Sequence, residues 1–301
     1  MDLISDFRRA LDVLRYNMIL FLPSLIIFYL VPIMVLIAAF YVLTPITYTI
    51  LKVQASNLIY GLIFGITVLA TLAGLTYIYV LSGAANMNKK AVLTGSTSMK
   101  DFWDGCDKYF LKILAGTILL ATVYAVIVLV GIILTSAILL PYTPKLTQMI
   151  KLQPENILKR FEPVTLLEAL EVLIDPISLW LLLLTCMGIF FIFTVFWIQA
   201  LVIEDVGVFR AVGLSVRFVK KNMKTTLGIA SLWLISQGLV VTITPYGFLD
   251  GGSSGCLFAV APIPQILLQP IIATFFTLLL YVTYADKTGR IQPSTLKDRG
   301  G

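Results

Sequence analysis

The sequence predicts an all-α polytopic membrane protein: a bundle of six transmembrane helices with amphipathic elbow helices on its cytoplasmic side. Two observations predict this class, the length of the apolar stretches and the alternation of basic segments between them. Hydrophobic residues make up 59% of the chain and charged residues 13%, against about 25% charged residues in a soluble domain. We therefore predict a single integral membrane domain over residues 1–301.

The six predicted spans follow from length. A helix needs about 20 apolar residues to cross about 30 Å of hydrocarbon. Stretches that meet this requirement lie at about 18–43, 58–85, 113–140, 177–203, 225–246 and 263–285. Pro23 and Pro32 fall inside the first span. We expect a kink or a break there, because proline cannot donate the backbone hydrogen bond of a helix.

The basic residues predict the orientation. Seventeen of the 22 Lys and Arg residues lie in alternate segments outside the spans. These segments are 1–17, 86–112, 204–224 and 286–301. The positive-inside rule places them in the cytoplasm, so both termini are predicted to be cytoplasmic in a multi-pass protein of the cell membrane. Because the cations lie close to helix ends, the predicted partners are membrane lipids, anionic ones above all, and not nucleic acid.

The segment before the first span is predicted to be a short amphipathic helix on the cytoplasmic surface. Its apolar stripe consists of Leu3, Phe7, Ala10, Leu11 and Leu14. The apolar run that follows from Met18 is about twice as long as the core of a signal peptide. The sequence therefore favours a surface helix followed by a true span.

Composition limits the chemistry. The chain contains no His, which excludes a Ser-His-Asp or Cys-His nucleophile, a His-ligated metal and an imidazole proton shuttle. The predicted spans also carry no Asp, Glu, Lys or Arg well inside the membrane, where ion-coupled carriers usually keep an ionisable group. We predict a protein that is not an enzyme, with no catalytic residue, no cofactor and no metal site.

Three glutamines are the main polar side chains inside the spans. Gln237 lies in the fifth span, and Gln265 and Gln269 lie in the sixth. The last two are four residues apart and therefore share a helix face. Hydrogen bonds between helices are the favoured interpretation. A polar strip along a substrate route is the alternative.

The strongest internal pattern is a repeat of span, elbow helix and span. The first elbow, 101–112, contains Gly105, Phe110 and Lys112, and the second, 210–220, contains Gly213, Phe218 and Lys220 at the same spacing. Both elbows are predicted to be short helices on the inner surface. Ser98 and Asp101 have capping-box spacing ahead of the first. Glu204 and Asp205 place negative charge at the start of the second, where the helix dipole favours it.

The second elbow is predicted to be a basic amphipathic helix that ends at Asn222, in a left-handed cap. On a helical wheel, basic residues occupy one side, and Phe209, Val212, Val216 and Val219 occupy another. Such a helix in the membrane plane is typical of headgroup binding. The candidate headgroup residues are Arg210, Arg217, Lys220, Lys221 and Lys224. The alternative is an ordinary positive-inside anchor without a ligand.

The segment 199–229 resembles a known family. It reads as span, Glu204, small turn, Ala211, Ser215, basic residues with Asn222, Gly228 and span. In this order it is similar to the membrane domain of glycerophosphoryl diester phosphodiesterases and to related uncharacterised six-helix proteins of archaea and bacteria. About thirty residues carry the likeness, and the rest of the chain matches only in the number and arrangement of its spans.

The resemblance implies a membrane module without hydrolase activity. In that family the catalytic residues occupy a separate soluble barrel with metal-binding acids and His, and nothing in this chain resembles that barrel. No catalytic residue is carried over. The sequence thus predicts a non-enzymatic module that organises or binds lipid or a partner protein, the partner being another membrane protein or a second copy. The alternative is a carrier or channel for a neutral or lipid-like substrate.

Overall fold

The structure is a computed structural model. It describes residues 3–37, 55–139, 163–243 and 263–291, with side chains over 3–37, 64–138, 178–240 and 268–291. Within these residues all regular structure is helical and no strand occurs. The predicted all-α class is therefore confirmed.

Nine helices are labelled here in chain order. They are α1 (Leu3–Tyr16), α2 (Phe21–Leu25), α3 (Ala55–Thr94), α4 (Met99–Leu139), α5 (Pro163–Thr194), α6 (Trp197–Ile203), α7 (Val208–Lys221), α8 (Met223–Ile243) and α9 (Ile263–Lys287). The chain divides into two compact units. The first consists of Met1–Ala115 and Thr194–Gly301, and the second of Gly116–Phe193. The prediction of one integral membrane domain stays a prediction.

Five helical segments in the described part of the chain are long and apolar enough to cross a membrane. They are Met18–Ile37, Phe64–Thr94, Met99–Ile138, Ser178–Ile203 and Leu268–Lys287. They correspond to five of the six predicted spans. The remaining prediction, 225–246, falls on α8, a helix of 21 residues that is not among the five. Five long apolar helices are compatible with a multi-pass membrane protein.

Apolar side chains on these helices face outward. Phe64 on α3 is 71% exposed, Leu182 on α5 is 61% exposed and Leu234 on α8 is 63% exposed. Water-soluble proteins rarely expose apolar surface of this extent. In a bilayer the same side chains contact lipid tails, which are as apolar as they are.

The first span is irregular, as its prolines predict. A 3-10 turn at Met18–Leu20 leads into α2, and a π-helical turn follows at Ile26–Leu30. Pro32 has no N–H to donate to Phe28, so one bond of the regular pattern is missing beside the π-helical turn, and the chain is α-helical again over 31–37. On the facing helix α9, the Thr274 hydroxyl lies 2.6 Å from the Ser24 hydroxyl and joins α9 to α2.

The N-terminal helix α1 forms as predicted, and it packs against α9. Ala10 and Leu14 are buried, but Leu11 is exposed, and Val13 is buried in its place. Phe7 contacts Phe275 of α9 edge-to-face, with ring centroids 4.8 Å apart. The buried stripe is shifted from the predicted one because the packing partner of α1 is a neighbouring helix.

The two elbows differ from each other, which the repeat does not predict. The first is not a separate short helix: α4 continues without a break from Met99 to Leu139. Its predicted start is confirmed, since the Ser98 N–H donates to the Asp101 carboxylate at 2.9 Å. No proline follows Lys112 before Pro141, so every residue up to Leu139 can donate its helical hydrogen bond and nothing ends the helix.

The second elbow is a separate helix, α7, which ends at Lys221. Asn222 has a φ of −122°, so the predicted left-handed cap is wrong. Its side-chain amide instead donates to the carbonyl oxygen of Phe218 at 3.1 Å. The Asn222 N–H also donates to the carbonyl oxygens of Phe218 at 2.9 Å and Val219 at 3.1 Å, so α7 ends in a tightened last turn. α8 then begins at Met223.

Candidate functional site

The turn between α6 and α7 carries two adjacent acids, Glu204 and Asp205. Asp205 has a φ of +48°, in the left-handed region that Asp tolerates better than most residues. The chain turns sharply there, and α7 follows from Gly207, whose carbonyl oxygen accepts from the Ala211 N–H at 2.9 Å. The left-handed conformation of Asp205 thus belongs to the turn that leads from α6 into α7.

Two lysines of α4 bind this carboxylate. Lys108 Nζ lies 2.7 Å from Asp205 Oδ2, and Lys112 Nζ lies 3.1 Å from Oδ1. The hydrogen bond from Lys108 holds the pKa of Asp205 below its usual value of 3.8; burial opposes this effect and Lys112 adds to it. The lysines are four residues apart, so they share a face of α4 and reach the same acceptor.

Tyr109 and Lys89 complete this group, which we call the Asp205 cluster (Lys89, Lys108, Tyr109, Lys112 and Asp205). Lys89 Nζ of α3 donates to the Val202 carbonyl oxygen at 2.7 Å, near the end of α6. The ammonium groups of Lys89, Lys108 and Lys112 lie 5.9, 5.1 and 5.8 Å from the centroid of the Tyr109 ring. Cations at such distances are attracted to the ring. The cluster therefore fixes the α6–α7 turn against α3 and α4.

The other acid of the turn is paired as well. Glu204 forms a two-point salt bridge with Arg290, just beyond α9, which raises the pKa of that guanidinium. Asp286 near the end of α9 accepts from Arg9 of α1 at 3.0 Å. Glu204 and Asp205 were predicted to act on the dipole of α7. Instead, their carboxylates bind cations of other elements, because they lie before Gly207 and outside the first turn of α7.

The predicted headgroup residues form an exposed surface, which we call the α7 basic face. It consists of Arg210, Arg217, Lys220, Lys221 and Lys224. All five side chains are exposed, and none forms a salt bridge within the described residues. The sequence predicts that the basic residues lie on one helix. In the structure Lys224 lies in α8, beyond Asn222, so these residues belong to two helices.

The opposite face of α7 packs into the first unit. Its buried residues are Ala211, Ser215, Phe218 and Val219. The Phe218 ring lies 4.6 Å from Phe196 and 4.9 Å from Tyr284 of α9, centroid to centroid. The Ser215 hydroxyl accepts from the Phe196 N–H at 3.2 Å, immediately before α6. These contacts hold α7 with its cations outward.

The predicted apolar side of α7 is wrong at one end. Val219 is buried, but Phe209 is 79% exposed and lies next to Arg210. A helical wheel gives the angles between side chains, but it does not show which sector the neighbouring helices cover. In this helix they cover the sector around Ser215, and Phe209 lies outside it.

Two of the three predicted intramembrane glutamines, Gln237 and Gln269, form a hydrogen bond with each other. Gln269 Nε2 of α9 donates to Gln237 Oε1 of α8 at 3.0 Å. This is a hydrogen bond of the kind that the packing interpretation predicts. The side chain of Gln265 lies outside the described residues.

Sequence reasoning missed several contacts of this unit, among them the salt bridges of Arg9 and Arg290. Asn17, between α1 and the first span, donates to the Gly95 carbonyl oxygen and accepts from the Thr97 N–H, both at 3.1 Å. The Asp205 cluster was missed as well. Its only sequence signal is the spacing of Lys108 and Lys112, which places two cations on one helix face without naming their acceptor.

Comparison with known proteins identifies a family but no activity. No curated protein and no solved structure matches the chain. One family model, described as Domain of unknown function (DUF7847), matches residues 1–285. The match does not address the resemblance to the membrane domain of glycerophosphoryl diester phosphodiesterases, which stays a prediction. Because the match covers nearly the whole sequence, the chain belongs to the family described as Domain of unknown function (DUF7847).

Proposed function

We propose that this chain is a non-enzymatic integral membrane module that binds anionic lipid headgroups on the α7 basic face. One observation carries the proposal. Five exposed cations lie within 15 residues of sequence without a salt bridge in the described residues, although four other cations of the same unit are paired with acids. Unpaired cations are available to a ligand outside the chain.

The energetics favour a lipid surface as that ligand. A Lys or Arg near an anionic leaflet contributes about 1 kcal/mol of attraction. Five such residues on one surface give substantial binding, even after losses from screening and from side-chain entropy. Phe209 is exposed beside them, and an aromatic ring next to cations is typical of helices that lie in the membrane interface. The packing of Phe218 holds this surface in one orientation.

Removing the cations tests the proposal. We expect Arg210→Gln, Arg217→Gln and Lys221→Gln together to lower the amount of acidic phospholipid that copurifies with the full chain, measured by native mass spectrometry. The matched control replaces Arg8, Lys90 and Lys100 by Gln. These cations are also exposed and without a salt bridge in the described residues, but they lie on three different helices.

The two variants have the same net charge, so a difference in bound lipid between them must come from the positions of the removed cations. Loss of lipid in the α7 variant alone supports the proposal. An equal loss in both variants would mean that only net charge attracts lipid, and no loss in either would reduce the basic face to an orientation signal. Both of these results contradict the proposal.

The proposed orientation places the α7 basic face and both termini in the cytoplasm, in the cell membrane, following the distribution of basic residues. Single cysteines in a chain whose three native cysteines are replaced by Ser report on this. We expect an impermeant thiol reagent, added to intact cells, to label Gly252→Cys and to leave Ser96→Cys and Thr288→Cys unlabelled. Labelling of Ser96→Cys would overturn the orientation.

The carrier alternative depends on the glutamines. The hydrogen bond between Gln237 and Gln269 supports a packing role for them. We expect Gln237→Leu with Gln269→Leu to cost about 0.6 kcal/mol of stability and to leave lipid retention unchanged. The same variant is assayed in vesicles for transbilayer movement of fluorescent phosphatidylcholine. Movement that the native chain catalyses and the stable variant does not would favour the carrier.

A further inference from the structure

Gly213 lies on the exposed side of α7, where no described residue packs against it. A Cβ atom built at Gly213 has no neighbour within 4 Å, and its φ is not in the left-handed region. Glycine in a helix interior costs about 1 kcal/mol relative to alanine. Neither backbone conformation nor packing within the described residues requires a glycine at this position.

The matching glycine of the first elbow has an evident reason. A Cβ at Gly105 would lie 2.5 Å from Asn86 Cβ and 2.9 Å from the Ser82 carbonyl oxygen. Gly105 therefore permits the close approach of α4 to α3. The glycine at this place in the repeat serves helix packing in one copy and has no neighbour among the described residues in the other.

The surroundings of Gly213 on α7 are basic. Arg210 precedes it by three residues and Arg217 follows it by four. Residues at these spacings lie next to each other on one side of a helix, here about 4.5 and 6 Å away along the axis. Phe209, four residues before Gly213, is exposed on the same side. The bare backbone at Gly213 is thus a shallow notch between two arginines.

We propose that this notch seats the phosphate group of one phospholipid, held between the Arg210 and Arg217 guanidinium groups. The inference rests on the proposed function and deepens it by naming the bound group and its place. A guanidinium presents paired N–H donors that match two phosphate oxygens, whereas an ammonium acts as a point charge. Without a Cβ at Gly213, the phosphate can approach the helix closely enough for both arginines to reach it.

A phospholipid fits this site better than a soluble phosphate compound. Phe209 adds an exposed apolar ring at the rim of the notch, where it would contact the glycerol and upper acyl region of a lipid. α7 also leads directly into the apolar helix α8. The positive charge of the surface complements the negative charge of the headgroup.

Filling the notch without changing the charge tests the inference. The full chain in a neutral detergent is titrated with phosphatidylglycerol, and bound lipid is counted by native mass spectrometry. We expect Gly213→Gln to weaken binding of the first lipid by about fivefold, with a smaller effect for Gly213→Ala. Gly74→Ala, at another exposed helical glycine with nothing within 4 Å, is the matched control and should bind as the native chain does.

Two further arms examine the bound group. Arg210→Lys with Arg217→Lys keeps the charge but removes both guanidinium forks, and we expect it to weaken the first binding step as Gly213→Gln does. Inorganic phosphate in excess should not displace the lipid. Displacement by phosphate alone would show a soluble-anion site and overturn the assignment to a phospholipid.

The outcomes separate this inference from the proposed function. Suppose that Gly213→Gln binds lipid like the native chain, while Arg210→Gln, Arg217→Gln and Lys221→Gln together lose lipid. This result contradicts the phosphate site at Gly213 and supports lipid binding on the α7 basic face. If neither variant loses lipid, both are overturned. Thermal unfolding of Gly213→Gln checks that the fold is intact, which the open space around Gly213 leads us to expect.

Discussion

The two elbows of the repeat share three residue types at one spacing, but they use two of them differently. Gly105 lies against α3, whereas a Cβ at Gly213 would have no described atom within 4 Å. Lys112 binds Asp205, whereas Lys220 is exposed and has no salt bridge in the described residues. Only the phenylalanines are used alike, since both pack against aromatic rings: Phe110 against Tyr79, and Phe218 against Phe196 and Tyr284.

The difference follows from where the helix breaks. The first elbow continues into α4, and its polar side is used within the unit by α3 and by the α6–α7 turn. The second elbow ends at Asn222, and only one of its faces packs against residues that the structure describes. Its remaining face keeps the same kinds of residues without a salt bridge to the part of the chain that the structure describes. A repeated sequence pattern can therefore support packing in one copy and leave a surface for a ligand in the other.

The largest difference in stability between the two elbows is expected when their glycines, Gly105 and Gly213, are replaced by alanine. We expect Gly105→Ala to lower the free energy of unfolding by about 1–3 kcal/mol, because the added Cβ overpacks the contact with Asn86 and Ser82. Gly213→Ala should raise stability by up to about 1 kcal/mol, since alanine favours the helix and meets nothing. Thermal unfolding of the two purified variants measures both. Equal effects of the same sign would remove this distinction between the elbows.

The salt bridges of Asp205 should give a smaller effect that depends on pH. The pKa of Asp205 is lowered in the folded state, and the hydrogen bond from Lys108 is the largest cause. Its contribution to stability is therefore present above the unfolded pKa and is lost as pH falls through the lower, folded pKa. Because all three side chains are more than a third exposed, we expect Asp205→Asn to cost less than about 1 kcal/mol at neutral pH.

The test of Asp205 is a pair of unfolding curves recorded against pH. The native chain should unfold at a higher temperature than Asp205→Asn near neutral pH, and the gap should narrow below the usual pKa of 3.8 and close once the pH falls below the folded pKa of Asp205. Lys112→Gln, which removes one of the two cations, should give an intermediate gap. A gap that stays constant over this range would show that Asp205 acts through its backbone conformation and not through its charge.

The cations of the α7 basic face should matter least for stability. Arg210→Gln, Arg217→Gln and Lys221→Gln together remove no salt bridge of the described residues, so we expect a change within about 0.5 kcal/mol in neutral detergent. Acidic phospholipid should raise the unfolding temperature of the native chain more than that of the variant, because a ligand stabilises the state that it binds. A large loss of stability in neutral detergent would mean that these cations have partners within the chain.

The helical class and five of the spans could be predicted because they depend on local composition. An apolar run long enough to cross the membrane leaves few other structures open to the chain. The end of α7 at Asn222 could be predicted, because Asn is a common residue at helix ends, although the predicted left-handed conformation was wrong. The continuation of the first elbow into α4 could not be predicted from the repeat, because the repeat predicts a short helix in both copies.

The cations of the candidate surface could be identified from sequence, but their pairing could not. Lys108 and Asp205 are 97 residues apart, and only the fold brings them together. Periodicity predicted α7 as a basic amphipathic helix, since angles around a helix are fixed by its geometry. It misplaced Phe209, because burial depends on which sector the neighbouring helices cover.

The length of α3 has a consequence for the bilayers in which this chain can reside. Its 40 residues give a helix of about 60 Å. Even at a tilt of about 40°, it covers about 45 Å along the membrane normal, more than the hydrocarbon thickness of about 30 Å. Its apolar part, 58–85, is itself longer than that thickness. α3 can therefore remain matched to thicker or thinner membranes by a change of tilt, without drawing the amides of Asn86 and Asn88 into the hydrocarbon.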